Sequence, residues 1–244
     1  MRTLIKNAWI LTMNEKMQEY KDGQIVIEDD KILYVGKPKE FDSIDNIVDA
    51  KNCLVLPGMV NTHCHVSMLP FRSLQDDCPD RLRRFLFPLE NACMNEDLAY
   101  YGACYGTGEM LLSGITTFAD MYYFMDKVAL ACEKMGIRAV LGETIIDQPT
   151  CDAKNAVEAL KIGEKFIEEW KHHPLITPML APHATNTNTE EIFRKAMEIV
   201  KKHDTLMMTH VAEMDYEMTY FRNKYNMTPI EWLESISCLN QHVL

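Results

Sequence analysis

From Pro57 onward, apolar strand-like runs alternate with amphipathic helix-like stretches, and that alternation confines the chain to a parallel sheet covered by helices. The strand runs fall at 59–63, 116–121, 138–145, 175–181 and 205–210, and the helices at 96–113, 126–135, 153–171 and 190–203. A run that is apolar on both sides leaves no face for water, so layers on both sides must cover it. The punctuation agrees. Asn95 is placed to cap a helix whose first turn carries Glu96 and Asp97, and Gly114 and Gly136 sit where helices end on a left-handed residue. Thr187 with Glu190 reads as a capping box, as does Thr228 with Glu231, where Pro229 takes the first helical position.

Before Pro57 the rhythm differs. Short strands at 3–12, 24–28, 31–35, 46–48 and 53–56, with a tight turn at Asp29-Asp30, suggest a small sandwich or barrel. The expected fold is therefore α/β: a (β/α)8 barrel of the TIM type with a small β-sandwich domain at the N-terminus. The division falls at 1–56 and 57–244. Only five strand–helix units and the start of a sixth strand at 241–244 are visible where a barrel needs eight. The chain thus reads as an N-terminal portion, incomplete as a barrel. On its own it is expected to be poorly soluble, because an unpaired sheet edge invites association.

Composition narrows the class. A length of 244 residues with 47% hydrophobic content supports one large core and a satellite. The net charge of −11, without a basic cluster, argues against nucleic acid or an anionic membrane as the main partner. Eight cysteines without a Cys-X-X-Cys pair read as reduced thiols of a cytoplasmic protein. Charges at Arg2, Lys6, Glu15 and Lys16 break up the start of the chain, so no signal peptide or membrane span is expected there.

The chemistry concentrates at strand ends. On a strand, alternate side chains share a face, so His63 and His65 point the same way at the end of the first barrel strand. Two neutral imidazoles so placed suit a divalent transition metal, although a bare His-X-His pair is more often two hydrogen-bonded histidines at a strand end. His210 ends the fifth strand run, and parallel strands bring such ends together. Three imidazoles leave room for a water, whose pKa zinc lowers to roughly 7. Glu213, three residues on, is placed to carry a proton between that water and a substrate. His183 ends the fourth strand and reaches the same mouth, where substrate contact and simple packing compete as explanations. Glu90 lies in an apolar-aromatic excursion over 69–93 that reads as a lid. His172, His173 and His203 fall at helix ends, where the helix dipole accounts for them.

Four stretches together carry a resemblance. Pro57-Gly58-Met59-Val60-Asn61-Thr62-His63-Cys64-His65, Gly114-Ile115-Thr116-Thr117-Phe118-Ala119-Asp120-Met121, Ala181-Pro182-His183 and His210-Val211-Ala212-Glu213 resemble the amidohydrolase superfamily. They are most similar to its 5-methylthioadenosine/S-adenosylhomocysteine deaminases and related chlorohydrolases. The resemblance implies one divalent metal, zinc or alternatively iron, on His63, His65 and His210. It implies Glu213 as the proton carrier to the purine, and Glu90 and His183 as contacts to a nucleoside. Its further catalytic His and last metal-binding Asp would come from later strands. Two departures matter. Glu143 stands where some nucleoside-deaminating relatives carry an arginine, which would alter the polar end of the pocket. The strand at 175–183 lacks the lysine that binuclear relatives carboxylate, which favours a single metal.

The expected function is hydrolytic deamination of an adenosine-type nucleoside, with release of ammonia. Hydrolysis of a triazine-like or other heterocycle is the alternative within enzymes, and a non-catalytic fragment is the alternative outside them. A small-molecule substrate is expected, with a homo-oligomer left open.

Overall fold

Residues 1–244 are all described in a computed structural model, as two units with their own cores, Met1–Gly58 and Met59–Leu244. The first is one sheet built from β1 (Arg2–Leu11), β2 (Glu19–Glu28), β3 (Lys31–Gly36), β4 (Asn46–Asp49) and β5 (Leu54–Val55). The order is β3-β2-β1-β4, with β5 beside β1. The β1, β2 and β3 strands pair antiparallel, whereas β4 and β5 run parallel to β1. Asp29, at φ +53°, turns β2 into β3. Ala8, Ile10, Ile25 and Ala50 form the buried centre. The β2 strand begins five residues before the apolar run that announces it. Its first half is polar, and Gly23 passes so close to Ile10 that a Cβ there would meet Cδ1 at 2.4 Å.

The second unit is a five-stranded sheet in the order β10-β9-β8-β7-β6. Its strands are β6 (Met59–Cys64), β7 (Ile115–Tyr122), β8 (Arg138–Ile145), β9 (Ile176–Pro182) and β10 (Leu206–Met207), and every pair is parallel. Seven helices accompany them: α1 (Phe87–Cys93), α2 (Glu96–Leu112), α3 (Met125–Met135), α4 (Ala156–Trp170), α5 (Glu190–His203), α6 (Asp215–Tyr225) and α7 (Pro229–Ser235). Neighbours in sequence are neighbours in the sheet, and β7, β8 and β9 are mostly buried as their composition demands, whereas β6, at the edge, leaves Met59 and Val60 exposed. On one face Ala119, Met121, Met179, Ala181 and Met208 pack together. On the other, Phe118 and Leu141 pack with α3, and Ile145 and Leu180 with α4 and α5. Each such large side chain, once buried, contributes about 1.5–3 kcal/mol.

The chain after β6 is set by α2. Its Gly102 and Gly106 admit a 3-10 turn at Val66–Phe71 so closely that a Cβ would meet Ser67 O at 2.7 Å or Val66 Cγ2 at 2.6 Å. The expected lid over 69–93 is mostly helical, with a π-helical turn at Leu82–Leu86 running into α1. The capping reading at Thr187 is corrected. Thr189 caps α5 by accepting from Ile192 N, while the Thr187 hydroxyl accepts from Ala184 N at 3.0 Å. Asn95 and the Thr228–Glu231 box cap α2 and α7 as their sequence indicates. The β10 ladder has two residues instead of the expected six. Met208 N still donates to Leu180 O, but the next bond would need an N–H from Pro182, which has none. At the end of the chain Val243 bridges Met207 in parallel.

Candidate active site

Side chains at the carboxyl ends of β6, β7, β9 and β10 converge. The rings of His63, His65 and His210 lie 4.9, 5.0 and 5.4 Å apart, centroid to centroid, in the order 63–65, 63–210 and 65–210. One ligand nitrogen from each lies within 4.8 Å of the others. Their orientation is fixed from behind. His65 Nδ1 lies 2.7 Å from Met121 O, and His210 Nδ1 lies 2.8 Å from His183 O, which also accepts His210 N at 2.9 Å. A ring nitrogen facing a carbonyl must carry the proton, so both Nε2 atoms are left with free lone pairs.

This leaves lone pairs that a cation could share. His210 Nε2 faces His63 Nε2 at 3.3 Å. The lone pair of His210 Nε2 there faces either the Nε2–H of a neutral His63 or a metal ion held between the two nitrogens. Protonation is disfavoured: burial, then the His210 charge, lowers the pKa of His63, and burial lowers that of His65 to about 4. Three neutral imidazoles directed at one point are a donor set for zinc or a similar ion. Cys64, between the two histidines, points the other way and lies 3.4 Å from Ala119 O through its sulfur. Its neighbour Asp120 is fully buried, is pushed up to about 8 by that burial, and receives Val66 N at 3.3 Å on both oxygens. It braces the turn after His65.

Through His65 the imidazole cluster borders a cleft of about 370 Å³, which Phe87, Glu90, Tyr122, Thr144, His183 and Glu213 also line. Glu213 follows a left-handed Ala212, at φ +56°, and is exposed toward that space. His183 is nearly buried, packs edge-on against Phe87 with centroids 5.6 Å apart, and has its pKa lowered by burial to about 3. Glu90 is 3% exposed and accepts the Tyr122 hydroxyl at 2.7 Å. All six residues singled out in the sequence therefore lie at this site. The sequence reading missed Tyr122 and Phe87. Tyr122 was recoverable, since it ends a strand as the histidines do.

Glu143 is a correction. Alternation on β8 turns Gly142 and Thr144 toward the cleft side and Glu143 toward the helices, where it accepts Met125 N at 3.1 Å and contacts α4 at Gly163. It therefore does not form the polar end of this cleft.

Burial pushes the Glu90 carboxyl up to about 7, against the Tyr122 hydrogen bond, which lowers it. The protonated form thus favours folding fully below the ordinary carboxylate range, and that contribution is lost as pH rises through about 7. Glu90→Gln keeps the acceptor and cannot ionise. Its stability relative to the parent is expected to grow between pH 5 and pH 8 by on the order of 3 kcal/mol. Thermal unfolding at the two pH values checks this, and a pH-independent difference would refute it.

The chain matches the amidohydrolase family over residues 54–244. It belongs to that family. This amidohydrolase chain is 37% identical over 243 residues to a 5-methylthioadenosine/S-adenosylhomocysteine deaminase of Aquifex aeolicus, covering 99% of this chain and 55% of the relative. It is 36% identical over 245 residues to a 5'-deoxyadenosine deaminase of Methanosarcina barkeri, covering 99% and 56%. Among solved structures, an adenosine deaminase from Xanthomonas campestris with bound zinc aligns with TM-score 0.94 at 25% identity, over 99% of this chain and 56% of that one. A triazine hydrolase from Arthobacter aurescens shares the fold at TM-score 0.89 and 21% identity, over 99% and 59%. The chain spans about half the length of the curated relatives it matches.

Proposed function

We propose that this chain carries the metal-binding half of a hydrolytic deaminase acting on an adenosine-type nucleoside of the 5-methylthioadenosine/S-adenosylhomocysteine class. The observation that carries the proposal is the convergence of His63, His65 and His210, with one ligand nitrogen from each within 4.8 Å of the others and the Nε2 lone pairs of His65 and His210 left free, beside Glu90 and Glu213 in the adjoining cleft. In this reading the parallel sheet is part of a (β/α)8 barrel, and residues 1–56 belong to a small β-sandwich domain. His63, His65 and His210 hold one divalent ion, zinc in the first instance and iron in the second. Such an ion brings the pKa of a water to roughly 7, which makes a nucleophile available at neutral pH.

The chain's own residues do the rest. Glu213 takes the proton that water loses as its oxygen bonds to the amino-bearing carbon and passes it to the adjacent ring nitrogen; the remaining hydroxyl proton then goes to the amino group, the C–N bond breaks and ammonia leaves. Glu90, held by Tyr122 in an apolar setting, accepts or donates to a sugar hydroxyl. His183, kept neutral by burial, presents an imidazole to the base. Phe87 and the π-helical turn beside it exclude water from that side of the cleft.

The test is substrate profiling of the zinc-loaded full-length protein by ammonia release. An adenosine-type nucleoside is expected to turn over with kcat/KM of at least about 10⁴ M⁻¹s⁻¹. A chlorinated or aminated triazine should be poorer by a hundredfold or so, and the reverse order would overturn the assignment in favour of the heterocycle.

A further inference from the structure

The third residue of α6, Glu217, is only 1% exposed, and its carboxylate is spent on the backbone that carries Glu213. Its Oε2 accepts Glu213 N at 2.9 Å. Its Oε1 accepts Ala212 N at 3.1 Å and also the Thr185 hydroxyl. Thr185 lies two residues beyond His183, in the loop after β9, while Ala212 and Glu213 lie in the loop after β10. One buried carboxylate therefore ties together the two loops that bring His183 and Glu213 to the cleft.

The backbone it holds is one that would not hold itself. Ala212 sits at φ +56°, a region that residues with a Cβ occupy only when their surroundings impose it. Two consecutive amides, at 212 and 213, converge on the same carboxylate in that turn. On the upstream side, His210 is fixed by its two bonds to His183 O. Glu213 is thus clamped on both sides, by the metal-site histidine before it and by Glu217 after it. The ordinary helix-capping use of a glutamate at this position reaches back to the cap residue's own amide. Here it reaches further, past Met214, to the amides of the functional turn.

We propose that Glu217 is a positioning residue, whose buried carboxylate holds the left-handed turn at Ala212 and so aims the Glu213 carboxylate at the reacting atoms. The inference rests on Glu213 as the proton carrier. Glu217→Gln keeps the size but sets an amide NH2 against backbone N–H donors, so the turn loses one of its acceptors.

The experiment uses the full-length, metal-loaded protein and the variants Glu217→Gln, Thr185→Val, Glu213→Gln and the double variant E213Q/E217Q. Misplacing a reacting group by about 1 Å costs up to about a hundredfold, so E217Q should lower kcat by about tenfold to a hundredfold. KM and metal content should stay close to the parent, since neither the cleft wall nor the imidazoles change. Thr185→Val should show a smaller loss of the same kind. In the E213Q background E217Q should cost nothing further, because a residue that acts through Glu213 has nothing left to aim.

Equal losses from E217Q in both backgrounds, or parent-like kcat in E217Q, would overturn the proposal. If E217Q does not fold, Thr185→Val carries the test, and an unchanged kcat there would overturn it. A crystal structure of E217Q separates the two readings. Ala212 leaving positive φ supports the clamp whatever Glu213 does, and an unmoved turn refutes it. Full activity in E213Q would instead count against Glu213 as proton carrier.

Discussion

In the full-length protein, His63→Ala/His65→Ala is expected to take bound divalent metal from about one ion per chain to a small fraction of that. The two side chains contribute two of the three nitrogens directed at a common point, and their removal leaves too few ligands to hold a zinc-type ion against water. Turnover should disappear with the metal. Because His63 is exposed and His65 lies at the end of its strand, the fold should persist, and cooperative unfolding of the variant would show that metal loss is local. Elemental analysis reads the result directly. Unchanged metal content would remove these residues from the site, whatever the activity did.

The second large effect concerns Glu213. A positioned acid–base group is typically worth about 10²–10⁴-fold in rate. Glu213→Gln retains volume and hydrogen bonding but cannot move a proton. It is expected to lower kcat by at least about a hundredfold with metal content intact. The split between the two double-checked quantities matters: loss of activity together with loss of metal would assign Glu213 to the metal site, and near-parent turnover would exclude it from proton transfer.

The legible parts of this chain were those where one physical signal dominates. The apolar run at 138–145 and the amphipathic stretch at 190–203 coincide with β8 and α5, because in each the period of hydrophobicity and the flanking residues agree. The three histidines were legible because parallel strands in neighbouring units must end on the same side. Failures came where two signals compete. Thr187 has a glutamate three residues on and Thr189 does not, yet the helix starts at Thr189, because the Thr187 hydroxyl is already engaged with Ala184 and lies 3.2 Å from His183 Nδ1. The α6 helix, with little apolar periodicity, gave no sequence signal. Its Glu217 was invisible for the same reason, since what buries it is a contact with Thr185, 32 positions away.

The shortness of β10 has a bearing on how the molecule opens. The β8 and β9 strands are paired over seven positions, whereas β10 is paired with β9 over two. The free energy needed to open a segment locally scales with such pairing and burial, so the turn from His210 to Met214 is joined to the sheet by its weakest seam. The seam also runs through the candidate site itself. His63 and His65 ride on a strand braced by β7, while His210 and Glu213 ride on the turn beyond the seam. Local opening there would move His210 together with Glu213, so the bridge from His210 to Ala184 and the Glu217 carboxylate are what keep the two sides of the candidate site in register.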